Sequence, residues 1–113
     1  MKLYYFNVYG RAESIRFLLH HAKLPFEDIH INKDKLAELK TAGHVEFGQV
    51  PMFEVDGKHL VQSWSILRYL GKTHGYYPVE DANVSYQIDS LIDSVEDLFQ
   101  KYFGAAFEAD AEK

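Results

Sequence analysis

Residues 2 to 7, Lys2-Leu3-Tyr4-Tyr5-Phe6-Asn7, form an aromatic-rich apolar run too short for a helix, which predicts a strand buried on both faces. Gly10 breaks it. From Arg11 the spacing switches: Ile15, Leu18, Leu19 and Ala22 fall at i, i+3, i+4 and i+7, one stripe of a helix that stops before Pro25. Phe26 to Ile31 alternates apolar and polar residues, and Phe26 set against the pair Ile29 and Ile31 predicts a second short strand with a register change. Asn32 is placed to cap a short helix carrying Leu36 and Leu39.

Residues 41 to 48 read as a loop by composition, and Val50-Pro51 follows it. The sharpest local signal comes next. Asp56-Gly57 supplies the positive φ values of a two-residue hairpin between Met52–Val55 and Lys58–Val61. Ser63 is placed to cap a helix with Ile66, Leu67 and Leu70 on one face, and Gly75 to end it in the left-handed conformation. Tyr76-Tyr77-Pro78-Val79 has the composition of a linker. Beyond it Ile88, Leu91, Ile92, Val95, Phe99, Tyr102, Phe103 and Ala106 trace a long amphipathic helix over residues 83 to 107. Residues 105 to 113, Ala/Glu-rich, are expected to fray.

The predicted order is β-α-β-α-β-β-α, a link, and a long helix. A crossover followed by a hairpin and a covering helix implies an α/β fold, a thioredoxin-like four-stranded mixed sheet with helices packed on it. The last helix carries more apolar surface than such a sheet needs. It is therefore expected to start an all-α domain, giving residues 1-76 as the sheet domain, 77-82 as the linker and 83-113 as the first helix of an incomplete helical domain.

Composition narrows the chemistry. With no cysteine in 113 residues, disulfides, thiolate metal sites, a Cys nucleophile and a dithiol redox pair are excluded. Any sulfur chemistry must come from a ligand. Lys and Arg number 12 against 17 Asp and Glu, a net charge of −5, so no general field gathers nucleic acid. No basic-then-apolar leader and no apolar run near the length of a membrane span is present, and the expected compartment is the cytoplasm. The six His residues show no metal-ligand spacing, and no metal site is expected.

Several polar and aromatic positions carry two readings each. Tyr5, at the carboxyl end of the first strand, is either a core aromatic or a group facing the crevice where open α/β sheets bind ligands. Tyr4 competes with it, because alternation sends the two side chains to opposite faces. Gln62-Ser63 is a helix cap or an anion site. Arg11, Lys40 and Gln49 read singly as exposed polar residues. Asp89, Asp93 and Asp97, at i, i+4 and i+8, form an acidic stripe whose default is a solvated face.

Tyr4-Tyr5-Phe6-Asn7 with Gly10-Arg11-Ala12-Glu13, then Phe47-Gly48-Gln49-Val50-Pro51 leading to Glu54-Val55-Asp56-Gly57, then Gln62-Ser63 leading to Ile66-Leu67-Arg68-Tyr69-Leu70, resemble the N-terminal domain of cytosolic glutathione S-transferases. The pattern is most similar to the tyrosine-type classes, sigma above mu, pi and alpha. Val95-Glu96-Asp97-Leu98 resembles the family's first helix of the second domain. The resemblance implies that Tyr5 donates a hydrogen bond to the glutathione sulfur, supported by Arg11. It further implies a cis Val50-Pro51 bond whose main chain pairs with the cysteinyl backbone of glutathione. Gln62 and Ser63 would hold the γ-glutamyl carboxylate, and Lys40 and Gln49 the glycine end. Asp97 would cross a dimer interface to the neighbouring subunit's γ-glutamyl ammonium.

Many sigma-type relatives carry Trp one turn before the lysine, where this chain has Leu36. The activity implied is glutathione conjugation to a hydrophobic electrophile, with glutathione as co-substrate, or glutathione-dependent isomerisation, in a detoxifying homodimer. The electrophile would lie near Val8, Tyr9, Phe103 and Phe107. The alternative is a binding or structural protein of the same fold that turns nothing over. A glutaredoxin-like reductase is excluded by the missing cysteine.

Overall fold

The computed structural model describes the backbone of residues 1–111 and the side chains of residues 1–103, so the expectations for Ala106, Phe107 and the fraying of 105–113 lie outside the described side chains. Strands β1 (Lys2–Tyr5), β2 (Glu27–His30), β3 (Met52–Val55) and β4 (Lys58–Val61) form one sheet in the order β2-β1-β3-β4. β1 runs parallel to β2 and antiparallel to β3, and β3 is antiparallel to β4. The expected mixed sheet is therefore present. Helices α1 (Glu13–His21), α2 (Lys33–Thr41) and α3 (Ser63–Thr73) follow β1, β2 and β4.

The central position of β1 explains its apolar run. Leu3 and Tyr5 face a core with Ala12, Ile15, Leu19, Phe53, Ile66 and Leu70, contributed largely by α1 and α3. Tyr4 packs on the opposite side against a smaller cluster of Ile31, Leu39, Val45 and Met52, which α2 covers. Phe26 joins the first cluster and Ile29 and Ile31 the second. This corrects the expected register change in β2: plain alternation sends Phe26 to one face and Ile29 and Ile31 to the other, while Glu27, Asp28 and His30 of this edge strand are exposed.

Local chemistry sets most of the boundaries. Asn32 caps α2 by accepting from the Lys35 N–H at 2.9 Å. Asp56 (φ 51°) and Gly57 (φ 74°) both occupy the left-handed region, as a tight hairpin turn demands. Gly75 (φ 83°) ends α3 as expected, with the Tyr76 N–H bonded to the Gly71 carbonyl. Other boundaries differ from the sequence reading. β1 ends at Tyr5, and a 3-10 turn over Gly10–Ala12 precedes α1. Ser63 is the first helical residue of α3, and the cap position belongs to Gln62 at φ 74°, with no side-chain cap bond.

Met1–Tyr76 forms one compact unit and Tyr77–Lys113 another. The second is dominated by α4 (Ala82–Ala111), whose first turn is capped by Asp81 accepting from the N–H groups of Asn83 and Val84. Leu91 and Tyr102 of its apolar stripe are exposed, as is Leu98, which matches the expected surplus of apolar surface on this helix. No helix among the described residues is long and apolar enough to cross a membrane.

Candidate functional site

Three chain segments meet at one end of the sheet because Met52 is the ladder partner of both Tyr4 and Val61. Tyr5, Pro51 and Gln62 each lie one step further along their chains, so all three reach the carboxyl end of β1. Open α/β sheets place ligands at that end. Ser63, 5% exposed, follows Gln62 and opens α3, whose first turn carries no acidic residue. Its amide hydrogens are therefore electrostatically suited to an anion.

Tyr5 is 7% exposed, and its hydroxyl oxygen accepts the Arg11 main-chain N–H at 3.1 Å. Among the described residues that hydroxyl donates to no protein acceptor, which leaves its proton available to a ligand atom. Arg11 thus serves Tyr5 through its backbone. Gly10 roofs the phenol: a Cβ built there would lie 2.5 Å from the Tyr5 hydroxyl, and its φ of 38° also favours glycine.

Tyr4 is held on the other face, its hydroxyl directed to a Glu54 carboxylate oxygen at 3.4 Å. Burial first, then the Glu54 charge and hydrogen bond, raise the Tyr4 pKa above its ordinary 10.0. The fold therefore prefers the protonated phenol, and an unfolded chain gives up that proton first. Stability should be intact below about pH 10 and fall as pH rises through the folded pKa. Urea midpoints measured across that range should drop more steeply for the wild type than for Tyr4→Phe.

Val50-Pro51 is a cis peptide, with Pro51 buried and Val50 half-buried. Lys40, in the last turn of α2, is exposed, yet its Cε lies 3.6 Å from a Cβ built on Gly48, which brings it beside exposed Gln49. The loop bearing Gln49 is tied to β4 by His44 and His59, whose rings stack 3.9 Å apart at 6°. Gln62 is exposed and lines a cleft of about 290 Å³ with Phe47, His59 and Tyr69. Asp97 is exposed on α4 in the second unit. Of the acidic stripe, Asp89 is half-buried and accepts the Tyr77 hydroxyl at 3.0 and 3.1 Å, so it anchors the linker rather than a solvated face. Val8 and Tyr9 are exposed on the turn after β1.

Arg16 escaped the sequence reading. It is 9% exposed, donating from Nη1 to the Val8 carbonyl at 3.0 Å and to Glu13 at 3.1 Å, and from Nε to Asp28 at 3.0 Å. The guanidinium lies 5.8 Å from the Tyr5 ring centroid. The buried stripe of the first helical segment is Ala12, Ile15, Arg16 and Leu19, at i, i+3, i+4 and i+7. A charged residue at one of those positions was the available signal.

The family model for the glutathione S-transferase N-terminal domain matches residues 1–72. The chain belongs to the glutathione S-transferase family. A glutathione S-transferase of Anopheles gambiae is 38% identical over 96% of this chain and 52% of its own length. Glutathione S-transferase A4 of Mus musculus is 39% identical over 99% of the chain and 50% of its own. Among solved structures, prostaglandin synthase D of Nilaparvata lugens matches with a TM-score of 0.77 at 39% identity, covering 94% of this chain and 51% of that one. This glutathione S-transferase chain spans about half the length of the curated relatives it matches. Helix α4 is where the C-terminal helical domain of the glutathione S-transferase fold begins.

Proposed function

We propose that this chain carries the glutathione site of a tyrosine-type, sigma-like glutathione transferase, with Tyr5 holding the bound thiol as thiolate for attack on a hydrophobic electrophile. The observation that carries the reading is the Tyr5 hydroxyl, which accepts the Arg11 N–H at 3.1 Å and keeps its own proton for a ligand. A free thiol has a pKa of about 8.5, and holding it ionised at neutral pH takes a depression of roughly two units, about 3 kcal/mol. One charge-assisted hydrogen bond in a sheltered site contributes about 1.5–3 kcal/mol, which is most of the requirement.

The other residues grip the tripeptide. Val50, ahead of Pro51, offers main-chain groups for an added-strand pairing with the cysteinyl backbone. Gln62 and Ser63, at the start of α3, receive the γ-glutamyl carboxylate, and Lys40 with Gln49 the glycine end. Catalysis is then nucleophile activation plus positioning, with the nucleophile supplied by the substrate. Similarity to the prostaglandin synthase D of Nilaparvata lugens supports glutathione-dependent isomerisation of a lipid-derived substrate as a second use of the same thiolate. The working unit is a cytoplasmic homodimer in which Asp97 meets the γ-glutamyl ammonium of the partner's glutathione.

Calorimetry with glutathione and with S-methylglutathione tests the site. Both are expected to bind, and only the free thiol should release protons at neutral pH. Absence of uptake removes the proposal. Uptake without turnover of a chloronitrobenzene substrate assigns the chain to the non-catalytic alternative.

A further inference from the structure

We infer that Arg16 is a positioning residue for the Tyr5 hydroxyl, acting by clamping the turn between β1 and α1 to the edge of the sheet. The inference rests on the glutathione reading above. Val8 lies midway between Tyr5 and Arg11, the two residues joined by the hydrogen bond that orients the phenol. Its carbonyl accepts from Arg16 Nη1. The same guanidinium is bound through Nε to Asp28 on β2 and through Nη1 to Glu13 at the start of α1, so one side chain fixes the turn, the strand and the helix together. Its carbon lies 5.8 Å from the Tyr5 ring centroid, close enough to bound the ring on that side.

Stability alone is a poor account of this arrangement. Burying a guanidinium is unfavourable unless its donors are well used, and apolar residues of similar volume commonly do as well or better. Here Nη2 is buried with no partner among the described residues. A purely structural site would do better with a leucine or methionine. What an apolar side chain cannot do is hold the Val8 carbonyl while bridging to Asp28. Lysine cannot do it either, since its single ammonium lacks the planar fork.

The test uses two variants of the full chain: Arg16→Lys, which keeps the charge, and Arg16→Met combined with Asp28→Asn, which keeps the net charge while removing the clamp. Thiolate absorbance of bound glutathione is titrated against pH, with affinity measured in parallel. Both variants are expected to bind glutathione within about threefold of the wild type while the apparent pKa of the bound thiol rises by roughly half a unit or more. A changed melting temperature with an unchanged thiol pKa in either variant would show a merely structural residue and overturn the inference. If Arg16→Lys fails to fold, the double variant decides alone. Failure of the double variant as well would also mark Arg16 as structural. A wild-type chain that takes up no glutathione overturns the underlying reading, whereas wild-type ionisation matched by both variants removes only the role of Arg16.

Discussion

Tyr5→Phe is expected to reduce kcat/KM for glutathione conjugation by about 10–150-fold, the equivalent of the 1.5–3 kcal/mol a single charge-assisted hydrogen bond supplies. The apparent pKa of the bound thiol should rise toward its free value of about 8.5 in parallel. The phenylalanine ring refills the same buried space beside Ala12 and Ile15, so the change removes one oxygen and little packing. That oxygen also accepts the Arg11 N–H, and the orphaned amide should lower stability by about 1 kcal/mol. Glutathione affinity should change much less than the thiol pKa, because the tripeptide is gripped elsewhere. Tyr4→Phe is the matched control: it removes a phenol from the neighbouring residue but on the opposite face, where the hydroxyl serves Glu54. Equal loss in both variants, or none in Tyr5→Phe, would show that the strand rather than this hydroxyl matters.

The contrast between Tyr4 and Tyr5 marks where sequence reading reached its limit. Alternation showed that at most one of two adjacent tyrosines can face the crevice, but only the pairing of Met52 with both Tyr4 and Val61 shows which strand ends converge around it. The hairpin at Asp56-Gly57, the Asn32 cap and the Gly75 stop were legible because each depends on a short-range preference of backbone or side chain. The first helix was legible as a helix, and its apolar stripe reaches the core through Ile15, Leu19 and the partly buried Leu18. Counting only apolar residues placed Leu18 and Ala22 in the stripe and passed over Arg16, which is more deeply buried than either because Asp28 from β2 and the Val8 carbonyl supply its partners. Those partners are distant in sequence or lie on the main chain. The same holds for the stacking of His44 on His59, a loop-to-strand contact without local periodicity.

The scaffold under this site should be most sensitive at Phe53. It is fully buried in β3, paired with Leu3 on one side and Leu60 on the other, and it packs in the cluster that contains Tyr5. Phe53→Ala removes a ring from a position with no route for solvent to fill the space, and such truncations lose about 3–5 kcal/mol. For a chain of 113 residues, whose whole stability is of order 5–15 kcal/mol, that is a large share. The melting temperature should fall by roughly 12–40 °C at 4–8 °C per kcal/mol. Phe17→Ala, on a ring that is 73% exposed, should shift it little. The comparison becomes a test of the site when glutathione is added. A ligand that binds only the folded state at one hundred times its Kd contributes about 2.7 kcal/mol, which should recover over half of the loss in Phe53→Ala and stabilise the wild type by the same amount. Equal melting with and without saturating glutathione in both proteins would mean that the tripeptide does not recognise the folded sheet, and the assignment of the strand ends as its site would fall with it.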